Sequence, residues 1–251
     1  MVTISSFSGG RSSAMMSYEG INDCDFDMHI FCNTGKEHPA TLDFVKECDE
    51  RWELGVIWLE YTGKKSYKVV NFDTASRNGE PFAQLITDKK YLPNMVARFC
   101  TSFLKVIPIE QYLADQGIED YEMAVGIRAD EPRRVAKMRA KDNYLVPLAD
   151  KGVVEQDVHD FWQRQPFDLA LPDAAHNLYS NCDLCFLKGG RIKQSLIKES
   201  PCLADWWAEQ EARIGGKFRS DQLDYAAMKI KAATQDDLFG DDETIPCFCG
   251  D

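Results

Sequence analysis

Residues 5–13 read Ser-Ser-Phe-Ser-Gly-Gly-Arg-Ser-Ser, between a strand-like start, Val2-Thr3-Ile4, and Ala14-Met15-Met16-Ser17-Tyr18, which continues as a helix. A strand, a tight Gly-Gly turn and a helix N-terminus in that order make a phosphate cradle. Glycine lets the backbone approach an anion closely, and the first amides of a helix have no intrahelical acceptor and point at it. The helix dipole adds a favourable field, and Ser8, Ser12 and Ser13 add hydroxyl donors. The spacing is not that of the Gly-x-x-x-x-Gly-Lys-Ser/Thr nucleotide loop. A plain glycine–serine turn is the competing reading, so the remaining segments must decide.

The first half alternates strands and helices. Strands are expected over residues 2–7, 27–32, 55–61 and 121–126. Helices are expected from Ser12 to Tyr18, from Pro39 to about Leu54, and over 96–116, where Pro108 breaks or begins a helix. Residues 63–94 read as a long surface loop. Beyond them lie an amphipathic helix at 154–165 and helical stretches at 195–214 and 220–233. The pattern predicts an α/β fold: a doubly wound, mainly parallel sheet with helices on both faces, plus a helical, cysteine-bearing C-terminal part. The expected division is a nucleotide-binding α/β domain at 1–150 and a helical region at 151–251. In such a sheet ligands bind outside the carboxyl ends of the strands. Three polar clusters fall there: residues 8–13, Asn33-Thr34-Gly35-Lys36-Glu37, and Gly126-Ile127-Arg128-Ala129-Asp130-Glu131.

The 251 residues, 44% of them apolar, allow one generous α/β domain or one with an appendage. No apolar run approaches the roughly 20 residues that span a bilayer, and the start lacks a secretory pattern, so a cytoplasmic protein without a membrane partner is expected. The net charge of −12 argues against a broad nucleic-acid footprint. Part of that charge lies in the acidic run at 235–243. Arg128, Arg133, Arg134, Lys137, Arg139 and Lys141 form the densest basic stretch and read equally well as a solvated helix face.

In a reducing compartment, clustered cysteines point to metal or redox chemistry rather than disulfides. Of the nine, Cys24, Cys32 and Cys48 stand without cysteine neighbours and are expected to be buried apolar groups. Cys182-Asp183-Leu184-Cys185 is a Cys-x-x-Cys knuckle followed by Lys188. Two more ligands would close a site, with Cys100, Cys202, Cys247 and Cys249 as candidates. The pairs 182/185 and 247/249 suit zinc, whereas Cys100, the knuckle and one tail cysteine suit an iron–sulfur cluster; thiolate softness does not choose. The four histidines show no metal spacing, and only His38, beside the 33–37 cluster, is worth watching.

Taken in order, these segments resemble the phosphoadenosine-phosphosulfate reductase branch of the PP-loop superfamily. Ser8-Gly9-Gly10-Arg11-Ser12-Ser13 looks like its pyrophosphate loop, and residues 33–41 look like its Asp-Thr-Gly-x-x-x-Pro-Glu-Thr segment. Arg98-Phe99-Cys100-Thr101 with Lys105-Val106-Ile107-Pro108-Ile109 is similar to its Cys-Cys…Lys-x-x-Pro-Leu stretch. Residues 126–131 resemble its Gly-x-Arg segment, and Pro147-Leu148 with 154–158 its Pro-Leu…Glu-x-Asp-Val stretch; Leu178-Tyr179 also fits.

The resemblance implies an adenine nucleotide, ATP or an adenylyl sulfate derivative, held by Ser6, Phe7, Ser8, Gly9, Gly10, Arg11, Ser12, Ser13, Asn33, Thr34, Gly35, Gly126 and Arg128, with Mg2+ as an optional companion. It further implies a [4Fe–4S] cluster, with zinc as the alternative, on Cys100, Cys182, Cys185 and one of Cys247 or Cys249; Cys202 is the weaker fourth ligand. The adjacent double cysteine is absent, because Thr101 follows Cys100. The reductases end in Glu-Cys-Gly-x-His, whereas this chain ends Phe248-Cys249-Gly250-Asp251, and its loop keeps both glycines and a serine as ATP-cleaving members do. The expected enzyme therefore splits ATP at the α-phosphate and couples adenylation to sulfur chemistry. Lys36, Lys105 and Arg128 would stabilise developing charge. The alternatives are a thiol-dependent sulfonucleotide reductase with Cys249 as nucleophile, and a zinc-stabilised, non-catalytic nucleotide-binding protein. The sulfur acceptor, a small molecule or a nucleic-acid base, is left unidentified, and a homo-oligomer is left open.

Overall fold

The structure, a computed structural model, describes residues 1–23, 26–64, 66–172, 179 and 182–234. Six strands form one sheet: β1 (Val2–Ser6), β2 (Met28–Cys32), β3 (Ile57–Gly63), β4 (Ser66–Val70), β5 (Tyr121–Val125) and β6 (Tyr144–Leu145). Their spatial order is β4-β3-β2-β1-β5-β6, parallel throughout except for the antiparallel β3–β4 pair. The expected doubly wound, mainly parallel sheet is therefore present, and no helix among the described residues is long and apolar enough to cross a membrane.

Alternation along the strands builds two cores. Ile4, Ile30, Leu59 and Met123 face one side, where Ile109 and Leu113 of α5 (Ile107–Asp115) cover them. Phe31, Trp58 and Ala124 face the other, against α1 (Arg11–Asp23), α2 (Pro39–Trp52) and α8 (Glu155–Gln163). Successive strand residues point to opposite faces, so a strand flanked on both sides buries almost everything. The second core continues without a break into the C-terminal helices α9 (Gly190–Glu199), α10 (Leu203–Ile214) and α11 (Tyr225–Thr234), through Trp207, Phe218 and Tyr225.

The structure differs from the sequence reading at three places. Residues 63–94 are not one loop, for they hold β4 and α3 (Glu80–Lys89). The outer strand β4 leaves most of its residues exposed or half-buried and so lacks an in/out signature, while α3 opens with Pro81 in its first turn, where the ring costs no hydrogen bond. Pro108 begins a helix, one of the two outcomes expected for it: a short turn, α4 (Phe99–Thr101), runs through a π-helix, Ser102–Val106, into α5, whose first turn takes the proline. The stretch 195–214 is two helices separated at Ser200-Pro201. Finally, residues 126–147 carry α6 (Pro132–Arg139), on the basic stretch that the sequence offers as a helix face, and β6, followed by α7 (Pro147–Asp150); the sequence pattern singled out neither of the last two.

One buried group gives the fold a pH limit. His29, in β2, is only 6% exposed and its Nδ1 has no hydrogen-bond partner. Burial pulls its pKa from 6.5 down to about 4. The folded value lies below the unfolded one, so the unfolded chain takes the proton first. The stability tied to neutral His29 is complete above pH 6.5 and is lost as pH falls toward 4, by about 3 kcal/mol over that interval. His38, also shifted down by burial, acts with the same sign. Urea unfolding of wild type and His29→Leu between pH 7 and 5 should show a shallower acid slope in the variant; parallel slopes would remove His29 as the cause.

Candidate functional site

The turn after β1 folds because its sequence allows a conformation that few others reach. Gly9 has φ +82°, and a Cβ on it would lie 2.7 Å from Thr41 Cγ2. Both the left-handed backbone and the close approach of α2 require glycine. The Ser13 hydroxyl donates to the Gly10 carbonyl (3.0 Å) and accepts from the Ser8 amide (3.1 Å), with the Ser8 hydroxyl 2.8 Å away. The loop thus closes on the first turn of α1, whose amides have no intrahelical acceptors. Gly126, at the end of β5, presses on this turn: a Cβ there would stand 2.7 Å from Ser13 Cα and 2.8 Å from Ser13 N.

A cavity of about 520 Å³ opens at the carboxyl ends of β1, β2 and β5, lined by Ser6, Phe7 and Ser8, by Cys32 and Thr34, and by Gly126 and Ile127. The predicted convergence of the strand ends is realised there. Cys100 and Lys105 reach the same cavity from α4 and the π-helix, and Cys182 and Cys185 reach it from the knuckle. Widened π-turns alter which side chains share a helix face and recur at functional positions. The lining also includes Arg134, Lys137, Lys141 and Tyr144. Sequence reasoning had singled out none of these four as site residues. Part of the signal was present, because Arg134 and Lys137 stand three residues apart on α6, while Lys141 lies in the bend beyond it.

Several predicted contacts are used elsewhere. The Lys36 ammonium is buried in an ion pair with Asp183 (2.8 Å) and lies 5.0 Å from the centre of the Trp206 ring, and Lys36 is not among the cavity-lining residues. Arg11 turns to Asp168, donating through Nε (2.7 Å) and Nη2 (2.8 Å), and to the Leu169 carbonyl; this ties the segment after α8 to the back of the phosphate loop. Trp162 Nε1 donates to the Arg11 carbonyl and adds to that tie. Arg128 donates to Asp130 (3.0 Å) and is likewise absent from the lining. Asn33 is fully buried: its Nδ2 donates to Glu60 Oε1 (2.6 Å) and the Ser76 carbonyl, while its Oδ1 accepts from the Gly35 amide. It therefore shapes the loop that presents Thr34, and Gly35 supplies the positive φ of 75° in that turn. His38 caps α2, its Nδ1 accepting from the Ala40 amide.

The cysteines divide as their surroundings dictate. Cys32 and Cys48 are buried free thiols, as expected; burial pushes Cys32 up to about 12, which keeps it protonated and inert. The Cys182 sulfur lies 3.7 Å from Thr34 Oγ1, and Glu37 pairs with Cys182 across an isolated bridge, so the knuckle docks on the loop after β2. Cys202 is exposed ahead of α10 and is not among the lining residues. Cys24, Cys247 and Cys249, with His176, Leu178 and the acidic run, lie outside the described residues. Among the described residues, no group of three or more His, Cys, Asp or Glu side chains is arranged to hold a metal ion. Two cations lie around the knuckle. Lys188 is buried, and Lys193 is 1% exposed and pushed down to about 8 by burial and by Arg219, with Cys185 among the groups opposing that shift.

Comparison with known proteins agrees with this architecture. A family model described as phosphoadenosine phosphosulfate reductase domain matches residues 3–143, the span that contains the sheet's first five strands, the phosphate loop and α6. The chain is 33% identical over 202 residues to the uncharacterized nin region protein ORF290 of Escherichia phage lambda, covering 75% of this chain and 67% of that protein. It is 28% identical over 111 residues to the uncharacterized protein MJ0973 of Methanocaldococcus jannaschii, covering 43% of this chain and 22% of that protein.

Proposed function

Because the chain belongs to the phosphoadenosine phosphosulfate reductase domain family, within the PP-loop superfamily, we propose that it is an enzyme that binds ATP, cleaves it between the α- and β-phosphates and couples the adenylation to sulfur chemistry. The observation that carries this reading is one cavity lined by Ser8 of the phosphate loop, by Gly126 at the end of β5, and by Cys100, Cys182 and Cys185. The Ser8 hydroxyl and the first amides of α1 hold the phosphates, with the buried Ser13 hydroxyl bracing the loop through Gly10 and Ser8. Lys105 and Arg134, which line the cavity, neutralise charge as the phosphoanhydride bond breaks. Lys36 and Arg128, paired with Asp183 and Asp130, take structural parts instead.

An iron–sulfur cluster is part of the proposal. The donor type fits: three thiols share the cavity, and the buried ammonium groups of Lys188 and Lys193 suit an anionic, thiolate-bound group. Cys100, Cys182 and Cys185 would hold it with Cys247 or Cys249 as the fourth ligand, and it would supply a thiolate-ligated iron site beside the nucleotide. Iron, zinc and acid-labile sulfide determination on anaerobically purified protein tests this directly, and stoichiometric zinc without iron would assign the zinc alternative.

The activity is tested by two assays on the same preparation. Pyrophosphate release from Mg-ATP in the presence of a thiol is expected, and Ser8→Ala and Lys105→Ala should each lower it about 100-fold. Sulfite release from adenylyl sulfates, with no pyrophosphate from ATP, would instead assign the thiol-dependent reductase, the reading that the matched family's description favours.

A further inference from the structure

The phosphate loop is held by a part of the chain that lies beyond the family-matched span of residues 3–143. Arg11 stands first in α1, so its main chain belongs to the turn whose amides lack intrahelical acceptors. Its guanidinium forks onto both carboxylate oxygens of Asp168, at 2.7 and 2.8 Å, and donates to the Leu169 carbonyl at 3.2 Å. Trp162, which is buried, donates from its indole Nε1 to the Arg11 carbonyl at 3.1 Å. One segment, 162–169, therefore grips both the side chain and the main chain of a single loop residue. That segment is itself anchored. α8 lies on α1, where the Phe161 and Tyr18 rings meet at 5.3 Å between centres, and Trp162 packs among Phe44, Trp52 and Phe167.

The Arg11 and Asp168 side chains are 23% and 43% exposed, and ion pairs so accessible to water add little to global stability. Their effect falls on the loop. Arg11 is the one long side chain among residues 8–13, and it follows two glycines, which leave an unbraced turn many conformations. A loop that is ordered before its ligand arrives binds more tightly than one the ligand must order. We propose that Asp168 and Trp162 are positioning residues for the phosphate loop: acting through Arg11, they hold the first turn of α1 in the geometry that accepts phosphate. Arg11 itself makes no contact with phosphate. The inference rests on the proposed nucleotide reading for the ligand alone, because the brace consists of contacts within the chain.

Calorimetric titration with Mg-ATP of wild type, Arg11→Met, Asp168→Ala, their double variant and Trp162→Phe reads the effect. Arg11→Met and Asp168→Ala should each weaken binding about tenfold, and the double variant no more than either, since both remove one interaction. Trp162→Phe keeps an aromatic ring, loses the N–H and should weaken binding about threefold. Amide exchange followed by NMR needs no nucleotide. The Ser8 amide, bonded to Ser13 Oγ, and the Ala14 amide, bonded to the Gly10 carbonyl, should exchange about tenfold faster in Asp168→Ala, with the β5 amides unchanged. A pair that only stabilised the fold would speed the β5 amides equally, and that result would overturn the brace. Tighter Mg-ATP binding in Asp168→Ala would show that the released Arg11 reaches phosphate itself, and overturns it too, as do losses that add in the double variant. If wild type binds no Mg-ATP while Asp168→Ala still loosens Ser8 and Ala14, the nucleotide reading falls and the brace stands.

Discussion

Gly126→Ala is expected to lower nucleotide affinity at least tenfold and to destabilise the fold by about 2 kcal/mol. Alanine in place of glycine normally restricts the unfolded chain and stabilises by about 0.4–1 kcal/mol where the backbone accepts it. Here the sign reverses, because the added methyl would meet main chain and not a flexible side chain. It would lie 2.7 Å from Ser13 Cα, 2.8 Å from Ser13 N and 3.0 Å from the Ser12 carbonyl carbon. Either the end of β5 or the first turn of α1 must move, and both line the phosphate cradle. Gly216→Ala is the control, since nothing lies within 4 Å of its Cβ position. That variant should bind nucleotide as wild type does and be as stable or slightly more so. Nucleotide titration and thermal unfolding of the two variants decide the matter: if Gly126→Ala retains full affinity, the contact between β5 and the loop does not shape the site.

The parts of this site that could be read in the sequence are those set by local chemistry and topology together. The Gly-Gly turn, the loop after β2 and Gly126 sit at strand ends, and a parallel sheet brings strand ends to one edge whatever the side chains do. The knuckle and Cys100 were legible as a group, though not the route by which they meet: Cys100 reaches the cavity from α4 and Lys105 from the π-helix that follows it, a widened turn that the sequence ahead of Pro108 does not announce. Lys36, Arg11 and Arg128 stand beside glycine-rich turns, and the resemblance placed them on the nucleotide or its developing charge; the structure pairs them with Asp183, Asp168 and Asp130, and none of the three is among the cavity-lining residues. Asp183 and Asp168 are 147 and 157 residues away in sequence from Lys36 and Arg11. Conversely, Arg134, Lys137 and Lys141 looked like a wet helix face, because the composition of α6 does not reveal that its basic side meets the end of the sheet. Residues 63–94 resisted for another reason: β4 is an outer strand whose side chains are exposed on both faces, so burial imposes no period on its sequence.

Asp183→Ala should be the most destabilising single change near the site, costing about 3–5 kcal/mol. Asp183 and Lys36 are each 8% exposed at the side chain and meet at 2.8 Å. Asp183 Oδ1 also accepts from Trp207 Nε1 (2.8 Å) and from its neighbour's amide, that of Leu184 (2.6 Å), while the Asp183 amide donates to the Lys36 carbonyl (2.7 Å). Removing the carboxylate leaves an ammonium buried against Trp206 without a counter-charge and strips the indole N–H of its acceptor. Lys36→Met removes the other charge but leaves Asp183 its two N–H donors, so it should cost less. The double replacement Lys36→Met/Asp183→Leu should recover part of the loss, because no unpaired charge remains. Urea unfolding of the four proteins gives the coupling energy. Nucleotide titration then separates the two parts Lys36 could play. If it clamps the loop after β2 to the knuckle, Lys36→Met loses stability and affinity together, and both return in part in the double variant. If Lys36→Met instead lowers turnover with unfolding unchanged, the lysine acts on phosphate, and the assignment of Asp183 as its structural partner fails.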